Sequence, residues 1–388
     1  MAHICHVISG YFRNDARVFL RQCLSLVRAG HDVSILTNDG EPDEVVDGVQ
    51  IYACDTQWPR WRVLMGATRQ FLSLALKVDA DVYQIHSPEL LPLGLRLKRL
   101  GKSVVYDAHE DLPRHILEKE WLPNLFRQPI SVATEVYLRR TLRQFDEVVS
   151  PHSHVVADLQ QAIGKGILVA NFPLIDESRA FSLAEYRARS KIVCYSGTVY
   201  SYSNQEEIID ALKTVPEARY DVAGYIPEDH RQALMSREGA ARVRFLGRLS
   251  RSDLRQFYLS SRVGVVVYDY KLNLGGRLGS YGTNKIFEYM EAGLPIICTD
   301  YDLWKDIVAR YGCGICVEPG NSMQIAEACQ FLLANPEKAF SMGQAGRKAV
   351  LEEFNWDTEN RKYINMFTRI LQASGPIRRI GTQPFSDT

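Results

Sequence analysis

Short apolar runs alternate with amphipathic stretches along most of the chain. In the amphipathic stretches apolar residues recur at helical spacing, as at Phe19, Cys23 and Leu26, and Gly30 ends that stretch. The apolar runs predict strands, which in the first half are Ala2–Ile8, Asp32–Thr37, Val49–Ala53, Val82–His86, Ser103–Asp107, Glu147–Ser150 and Ile167–Asn171. The order strand, helix, glycine, strand is typical of βαβ units around a parallel sheet.

A second alternation of the same kind fills the second half. Its predicted strands are Ile192–Ser196, Tyr220–Ala223, Val243–Leu246, Val263–Tyr268, Pro295–Thr299 and Gly314–Val317. Its predicted helices include Asn204–Lys213, Ser250–Leu259, Lys285–Ala292, Met323–Ala334 and Glu337–Glu353. Between the halves, Asn171–Arg189 is rich in proline, acidic and polar residues and predicts an interdomain connection. The pattern therefore predicts an α/β fold with two Rossmann-like, doubly wound domains that face a central cleft.

Composition excludes several classes of protein. Among 388 residues, 46 Lys and Arg balance 46 Asp and Glu, and this zero net charge argues against a nucleic-acid partner. No window has the ~18 uninterrupted apolar residues that a membrane helix needs. Residues 1–9 lack the basic region of a signal peptide, so we expect a cytoplasmic protein. Cys313 and Cys316 lie in a glycine-rich, strand-like context, which favours buried structural cysteines over a zinc or redox pair.

Candidate chemistry begins at the ends of the predicted strands. Ligands of doubly wound sheets bind beyond the carboxyl ends of the strands, and the first strand of each half runs into a glycine, Gly10 or Gly197. No G-x-G-x-x-G follows a predicted strand, and no G-x-x-x-x-G-K-[ST] is present. The sequence therefore argues against a dinucleotide-dependent dehydrogenase and a P-loop NTPase.

The segment over 269–300 combines a glycine-rich loop with a helix that begins near Thr283 or Asn284, both good N-cap residues. Lys285 in the first turn suits a phosphate, and Glu288 on the same helix face suits the hydroxyls of a ribose. The alternative interpretation is a solvated Lys–Glu surface pair. A D-x-D spacing follows at 300–302, where the place after a strand favours N-capping over metal binding.

Five segments, in chain order, carry a resemblance to a known family. They are NDARVFLRQCLSLVRAGHDVSILT, YDAHEDLP, KIFEYMEAGLPII, YGCGICVEPGN and FNW. Together they resemble the retaining glycosyltransferases of family four, which have the GT-B fold and use sugar nucleotides. The resemblance implies an acceptor-side domain over 1–175, completed by a last helix at about 356–373, and a nucleotide-sugar-binding domain over 190–354. We expect the tail over 375–388 to be disordered.

The resemblance also implies roles for individual residues. His109 is expected beside the donor sugar and its reacting carbon, with His86 as the competing histidine. Acceptor-side candidates are Asp15, Arg17 and Glu110. The expected donor-binding residues are Gly10, Gly197, Thr198, Gly224, Leu246, Arg248, Arg277, Ser280, Tyr281, Gly282, Thr283, Lys285 and Glu288.

Two departures from the family pattern concern the donor. Ser280 stands where many relatives have the first Glu of an E-x7-E pair, which leaves the donor sugar open. The chain has Gly197-Thr198 and Ser203-Asn204 where many relatives have Arg and Lys against the diphosphate. A diphosphate leaving group still needs cationic or amide stabilisation. We expect Arg277, Lys285 and the helix N-terminus to supply it, with Lys271 and Arg17 as substitutes.

The resemblance implies transfer of a sugar, with retention of anomeric configuration, from a UDP- or GDP-sugar to a hydroxyl of a lipid-linked or glycan acceptor. The expected setting is bacterial surface-polysaccharide or glycolipid assembly. No cofactor, metal or protein nucleophile is implied. Two alternatives stay open: a catalytically silent glycosyltransferase-like binding protein, and a sugar-nucleotide epimerase of similar fold.

A basic stretch in the first half indicates a second partner. Residues 58–102 carry eight Lys or Arg and three acidic residues, and Trp58-Pro59-Arg60-Trp61-Arg62 precedes an amphipathic segment. This arrangement suits attachment of 58–78 to an anionic membrane surface, on the inner face of the plasma membrane. The alternative is a helix that packs on its own sheet and leaves a solvated basic edge.

Overall fold

The computed structural model describes residues 1–54 and 68–373. The chain forms two compact units, Met1–Ala170 together with the chain from Asp357 onward, and Asn171–Trp356. We call them the first and the second unit. Each is built on a mainly or wholly parallel sheet, which confirms the predicted α/β class. The predicted tail over 375–388, and residues 58–67 of the expected membrane-binding segment, lie outside the described residues.

The sheet of the first unit has the strand order β3-β4-β2-β1-β5-β6-β7-β8. Its neighbours are parallel except for β3 and β4, an antiparallel pair joined at Asp47-Gly48, where both residues have positive φ. The sequence pattern does not predict β3, because this edge strand is mostly exposed and so has no continuous apolar run. The strands are β1 (His3–Val7), β2 (Asp32–Thr37), β3 (Glu44–Val46), β4 (Val49–Ala53), β5 (Val82–Ile85), β6 (Ser103–Asp107), β7 (Glu147–Ser150) and β8 (Ile167–Leu168).

The helices of the first unit follow the predicted alternation with the strands. A π-helical turn over Ala16–Cys23 continues directly into the first α-helix. The helices are α1 (Leu24–Arg28), α2 (Thr68–Val78), α3 (Leu91–Arg99), α4 (Leu112–Leu117), α5 (Asn124–Leu142), α6 (Ser153–Ile163) and, from the end of the chain, α15 (Trp356–Ala373). Tyr363 of α15 is fully buried and donates a hydrogen bond to Gln84 Oε1 of β5 at 2.6 Å. The last helix is thereby attached to the sheet of the first unit.

The sheet of the second unit is parallel throughout, with the order β11-β10-β9-β12-β13-β14. The strands are β9 (Ile192–Ser196), β10 (Arg219–Ala223), β11 (Val243–Gly247), β12 (Val263–Val266), β13 (Ile296–Thr299) and β14 (Gly314–Val317). The helices are α7 (Leu183–Ala188), α8 (Gln205–Ala211), α9 (Glu228–Met235), α10 (Arg251–Ser260), α11 (Lys285–Glu291), α12 (Asp302–Tyr311), α13 (Ser322–Ala334) and α14 (Pro336–Glu352).

The segment predicted as an irregular connection has structure of its own. Phe172 packs in the second unit against the rings of Phe287 and Phe354, with centroids 4.6 and 5.4 Å away. Helix α7 begins after Ser182, where the hydroxyl caps Glu185 N and the Glu185 carboxylate reaches back, a complete capping box. The S-x-x-E spacing was the sequence signal for this helix, and the surrounding polar composition obscured it.

Within the described residues, none of the helices combines the length and the apolar character needed to cross a membrane.

The close packing of α14 provides a test of the second unit. A Cβ added to Gly343 would lie 2.1 Å from the carbonyl oxygen of Gly293, a backbone atom that cannot rotate away. A Cβ added to Gly346, one turn later, would meet side-chain atoms of Met290 and Cys313 at 3.1 and 3.2 Å. We therefore expect Gly343→Ala to lower the free energy of unfolding by about 1–3 kcal/mol, although alanine favours helix.

The measurement is urea unfolding followed by circular dichroism. Gly346→Ala is the matched control, for which we expect a smaller loss because side chains can shift. Equal losses in the two variants would contradict this account of the packing.

Candidate active site

Three glycines lie at the carboxyl ends of neighbouring strands in the second unit. Gly197 N donates to Ala223 O at 2.7 Å, and Gly224 N donates to Gly247 O at 2.7 Å. A Cβ on Gly224 would lie 2.0 Å from Gly197 O, and one on Gly197 would lie 2.6 Å from Lys285 Cε. Only glycine fits at Gly197 and Gly224, where φ is +113° and +146°. The backbone of β9 and β10 therefore leaves room for the side chain of Lys285.

Lys285 is the first residue of α11, and its ammonium lies over two aromatic rings. Its Nζ is 5.6 Å from the ring centroid of Tyr195 and 5.7 Å from that of Tyr268. Burial alone would lower the pKa of Lys285, but the Tyr268 hydroxyl and the Glu288 carboxylate outweigh it and raise the pKa. The side chain is therefore a cation at neutral pH, held beside the carboxyl end of β9.

Glu288 follows one turn later, and two neutral groups hold its carboxylate. Tyr258 OH donates to Oε2 at 2.9 Å, and Asn284 Nδ2 donates to Oε1 at 2.6 Å. Tyr258 OH also lies 2.7 Å from Ser196 Oγ at the end of β9. Each carboxylate oxygen keeps capacity for a further donor. Glu288 is thus half-buried and oriented, which is unlike a solvated surface pair with Lys285.

Two residues that hold Glu288 have roles that the sequence did not indicate. Asn284 stands at the N-cap position of α11, as expected, but its side chain makes no capping bond there and is used by Glu288 instead. Tyr258 was missed, because it lies 30 positions from Glu288 in α10 and only the tertiary fold brings the two together.

The glycine-rich loop before α11 is fixed by its own contacts. Ser280 is buried, its Oγ accepts from Gly282 N at 2.9 Å, and its carbonyl accepts from Trp304 Nε1 at 3.1 Å. The Tyr281 ring lies 6.0 Å from that of Phe172, and Thr283 is half-buried just before α11. These predicted donor-binding residues therefore belong to one ordered loop that leads into Lys285.

Arg277, the other predicted diphosphate ligand, is engaged in an ion pair. Its Nη2 donates to Asp300 Oδ2 at 2.7 Å and its Nη1 donates to the hydroxyl of Tyr270 at 2.7 Å. Asp300 therefore forms an ion pair with Arg277 and does not cap α12. The N-cap of α12 is Tyr301, without a side-chain cap, so the N-capping interpretation of the D-x-D pair was wrong. The predicted role of Arg277 against a diphosphate stays a prediction.

The predicted base-binding residues lie at the ends of β10 and β11. Gly224 follows β10, and Leu246 lies at the end of β11. The guanidinium of Arg248 lies 5.6 Å from the ring centroid of Tyr225, which is half-exposed. Tyr225 was not selected from the sequence. Thr198, the neighbour of Gly197, accepts a hydrogen bond from Tyr195 OH through its carbonyl at 2.9 Å.

In the first unit, the central group is the buried carboxylate of Asp107 at the end of β6. Arg17 binds it with two hydrogen bonds of 3.0 and 2.8 Å, and Gln22 Nε2 donates to Oδ2 at 2.7 Å. Burial alone would raise the pKa of Asp107, but the Arg17 guanidinium and His109 hold it well below its usual range. Arg17 also donates to Val169 O and is itself buried, so its observed contacts are structural.

His109 and its competitor His86 are direct neighbours. His86 Nδ1 lies 3.1 Å from His109 Nε2, and both atoms lie within 3.4 Å of Asp107 Oδ2. His86 Nε2 lies in turn 2.9 Å from His6 Nδ1 of β1. Burial lowers the pKa of His86 and lowers that of His6 well below its usual range, so both rings are neutral. The sequence signal for His6 was a polar residue inside an apolar strand.

The remaining first-unit candidates lie on the loops that follow β1 and β6. Gly10 follows β1 with a φ of +72°, and the ring of Tyr11 lies 5.1 Å from that of His109. Asp15 caps the π-helical turn by accepting from Arg17 N and Val18 N. Glu110 is exposed and its Oε2 lies 2.9 Å from His115 Nδ1. Asp15 is thus a capping residue, while Glu110 points its carboxylate to solvent near the loop.

Within the described residues, His86, Asp107 and His109 form a group whose ligand atoms lie within 4.8 Å of one another. Metal binding there would compete with existing bonds, because Asp107 already accepts from Arg17 and Gln22. The guanidinium of Arg17 would also repel a second cation at this carboxylate. The donor set therefore fits a hydrogen-bonded histidine network better than a divalent ion.

The fold is that of the GT-B glycosyltransferases, enzymes built from two Rossmann-like units. Residues 16–167 match the family described as glycosyl transferase 4-like domain, and residues 181–349 match the family described as glycosyl transferases group 1. The chain belongs to the group 1 glycosyltransferases, as the resemblance of the five segments implied.

Relatives and solved structures agree with this assignment. The chain is 21% identical over 327 residues to a GDP-mannose-dependent monoacylated α-(1-6)-phosphatidylinositol monomannoside mannosyltransferase of Corynebacterium glutamicum, covering 80% of this chain and 82% of that protein. A sucrose-phosphate synthase of Thermosynechococcus elongatus superposes with a TM-score of 0.75 at 18% identity, over 96% of this chain and 100% of the other. HepE of Anabaena, in complex with UDP and glucose, gives 0.71 at 15% identity, over 95% and 100%.

The buried histidines of the first unit make its stability depend on pH. His152 Nε2 donates to the carbonyl of His109 at 2.9 Å, and burial lowers the pKa of His152 to about 4. An unfolded histidine binds its proton near pH 6.5. The stability contributed by neutral His152 is therefore present above pH 6.5 and is lost as the pH falls toward 4, by at most about 1.4 kcal/mol per pH unit.

We expect His152→Gln, which keeps an N–H donor and removes the titration, to make this pH dependence shallower. The measurement is the free energy of unfolding in urea at several pH values between 4 and 7. His230→Gln, at a half-buried position on α9 of the second unit, is the control. A slope unchanged by His152→Gln would contradict the assignment.

Proposed function

We propose that this group 1 glycosyltransferase transfers a sugar, with retention and without a metal or cofactor, from a UDP- or GDP-sugar to a hydroxyl of a lipid-linked or glycan acceptor. The observation that carries the proposal is the pair Lys285 and Glu288 on α11, beside the glycines that end β9 and β10. The proposed setting is surface-polysaccharide or glycolipid assembly at the inner face of the plasma membrane.

The donor side follows from the chemistry of these two residues. A nucleotide diphosphate presents a ribose diol and two phosphates. The oriented carboxylate of Glu288 accepts hydrogen bonds from the diol, because both of its oxygens keep acceptor capacity. The ammonium of Lys285 lies next to Gly197, where the backbone permits close approach of a phosphate. Tyr225, with Arg248 over its ring, offers a flat surface for the base.

The transfer step needs stabilisation of the leaving diphosphate more than it needs a protein nucleophile. As the bond from the anomeric carbon to the phosphate oxygen lengthens, charge accumulates on the diphosphate and Lys285 attracts it. The acceptor hydroxyl forms its bond to the anomeric carbon on the same face, and its proton passes to the departing phosphate. His109, oriented by His86 and Asp107, holds a hydroxyl of the donor sugar.

The comparisons support the acceptor class without fixing it. The Corynebacterium relative is named for a GDP-mannose donor and an acylated phosphatidylinositol mannoside acceptor, and this name supports a lipid-linked acceptor here. HepE is described with UDP and glucose, so both nucleotides belong in the first screen.

The first test is the affinity for UDP and GDP by calorimetry in Glu288→Gln. Loss of the carboxylate charge toward the ribose diol is expected to weaken binding about 10–100-fold, the value of a hydrogen bond to a charged group. The control is Glu327→Gln at an exposed position of α13 in the same unit. Unchanged nucleotide affinity in a folded Glu288→Gln protein would overturn the donor site.

The second test concerns His109 and the outcome of the reaction. His109→Ala is expected to lower kcat/KM for sugar transfer by about 10–100-fold while the affinity for the free nucleotide stays within about twofold, because His109 contacts only the sugar. His230→Ala, at a half-buried position on α9, is the control. Equal losses of nucleotide affinity and transfer would contradict this role.

The product and the donor are then analysed by NMR and mass spectrometry, with and without a chelator. Retained anomeric configuration and insensitivity to the chelator are the expected results. An inverted product or loss of activity with the chelator would overturn the mechanism. Epimerised free donor would select the epimerase, and nucleotide binding without turnover on any acceptor would select the silent binding protein.

A further inference from the structure

Helix α5 of the first unit has its apolar residues on the outside. Trp121, in the turn before the helix, is 77% exposed, and Leu125 in its first turn is 80% exposed. Phe126, Ile130 and Tyr137 follow one another at intervals of four and seven residues, and Leu125 and Val136 are eleven residues apart, which places them on one face of the helix. We call Trp121, Leu125, Phe126, Ile130, Val136, Tyr137 and Arg140 the α5 face.

The opposite side of α5 is fixed against its own unit. Ser131 Oγ donates to the carbonyl of Pro113 in α4 at 2.8 Å, and Thr141 and Leu142 are buried. Leu142 belongs to the same apolar core as Phe145 and Val148 of β7. The helix therefore cannot roll to hide its apolar face without losing these contacts. In water this orientation is unfavourable, so the α5 face is expected to have an apolar partner.

The charges on α5 identify the kind of partner. Between residues 124 and 143 there are four arginines and one acidic residue, Glu135, which pairs with Arg139. Arg140 continues the line of the apolar face, and Arg143 follows at the end of the helix. Arginines beside aromatic and aliphatic side chains suit a surface that offers hydrocarbon together with anionic groups. A second copy of the same face would set these arginines against each other.

We infer that the α5 face docks on an anionic lipid bilayer. The aliphatic and aromatic side chains enter the boundary of the hydrocarbon, and Arg140 and Arg143 bind the headgroups. Behind α5 lies a cavity of about 230 Å³ whose lining includes Leu138, Leu142 and Glu110, the neighbour of His109. Docking through α5 therefore brings the bilayer to the helix that borders the His109 loop. Its use in catalysis rests on the proposed lipid-linked acceptor, but the docking itself does not.

The experiment is co-sedimentation of the full chain with vesicles of phosphatidylcholine, and with vesicles of phosphatidylcholine and phosphatidylglycerol in equal parts. We expect binding to the anionic vesicles, weakened by salt because the headgroup contacts are screened. The variant Phe126→Ser/Ile130→Ser/Tyr137→Ser should bind at least about tenfold more weakly, since three apolar side chains no longer enter the bilayer. Met235→Ser/Met323→Ser, at exposed apolar positions of the second unit, is the matched control.

Trp121 gives a second readout within the same face. The parent for this readout is Trp58→Phe/Trp61→Phe, in which Trp121 is joined only by Trp304 and Trp356, both buried already. The Trp121 emission should shift to the blue on anionic vesicles, and a further Trp121→Phe should remove that shift. Arg140→Glu should weaken binding to the anionic vesicles alone.

Undiminished vesicle binding in the folded triple variant would overturn the inference, and so would no binding by the parent protein. A parent dimer that the triple variant abolishes would assign the face to a second copy instead. Calorimetry with UDP and GDP on the triple variant separates the two proposals. Nucleotide affinity retained with vesicle binding lost supports docking, whereas vesicle binding by a parent protein that binds no nucleotide leaves docking intact and overturns the proposed donor site.

Discussion

The arrangement of the first unit depends on the buried ion pair of Arg17 and Asp107. The Arg17 guanidinium, from the π-helical turn, binds Asp107 at the end of β6 and the carbonyl of Val169 just after β8. Because a buried carboxylate without a partner is costly, these segments must come together for the fold to form. Gln22 donates to the same carboxylate and accepts from Gln84, which in turn accepts from Tyr363 of α15. This series of hydrogen bonds thus links Asp107 to helix α15, near the end of the described chain.

The same ion pair lies beside a row of histidines. Asp107 stays ionised because Arg17 is beside it, and it lies at hydrogen-bond distance from His109 and near His86. The two deeper rings, His86 and His6, are neutral because burial disfavours their charged forms. Arg17 balances the charge of Asp107, and His109 is the ring of the three with exposed surface. Arg17, which was expected on the acceptor side, thus keeps ionised the carboxylate beside the histidines.

The sequence pattern was sufficient to predict the elements whose structure depends on residues close together in the chain. The strands Asp32–Thr37, Ser103–Asp107 and Ile192–Ser196 were predicted with the bounds that the structure has, because buried parallel strands are continuous apolar runs between turn signals. The edge strand Glu44–Val46 was missed because it is mostly exposed. Helix α7 was missed although its capping box is complete, because composition was given more weight than the spacing of Ser182 and Glu185.

Contacts between distant segments could not be predicted in the same way. The motif identified Glu288, but its partner Tyr258 is reached only through the packing of α10 on α11. Arg277 had the right charge and the right loop, yet Asp300, 23 positions away, takes its guanidinium. His6 was visible as a polar residue in an apolar strand, and nothing in the sequence indicated that its ring would lie on His86. Such pairs depend on register and topology, which a single sequence does not display.

The departure at Ser203-Asn204 has a structural explanation in the second unit. The family pattern K-G places its basic residue at Ser203, which is fully buried and donates from Oγ to the carbonyl of Tyr200 at 2.6 Å. It places glycine at Asn204, which has a left-handed backbone with a φ of +46°. Its Nδ2 donates to Asp269 Oδ1 at 2.9 Å, and its Oδ1 accepts from Gly320 N at 2.6 Å. The Asn204 side chain therefore joins the loops that follow β9, β12 and β14, because its amide both donates and accepts a hydrogen bond. A glycine at position 204 would keep the left-handed backbone but would lose both side-chain bonds of Asn204. Because neither Thr198 nor Ser203 carries a charge, the cation beside Gly197 is Lys285.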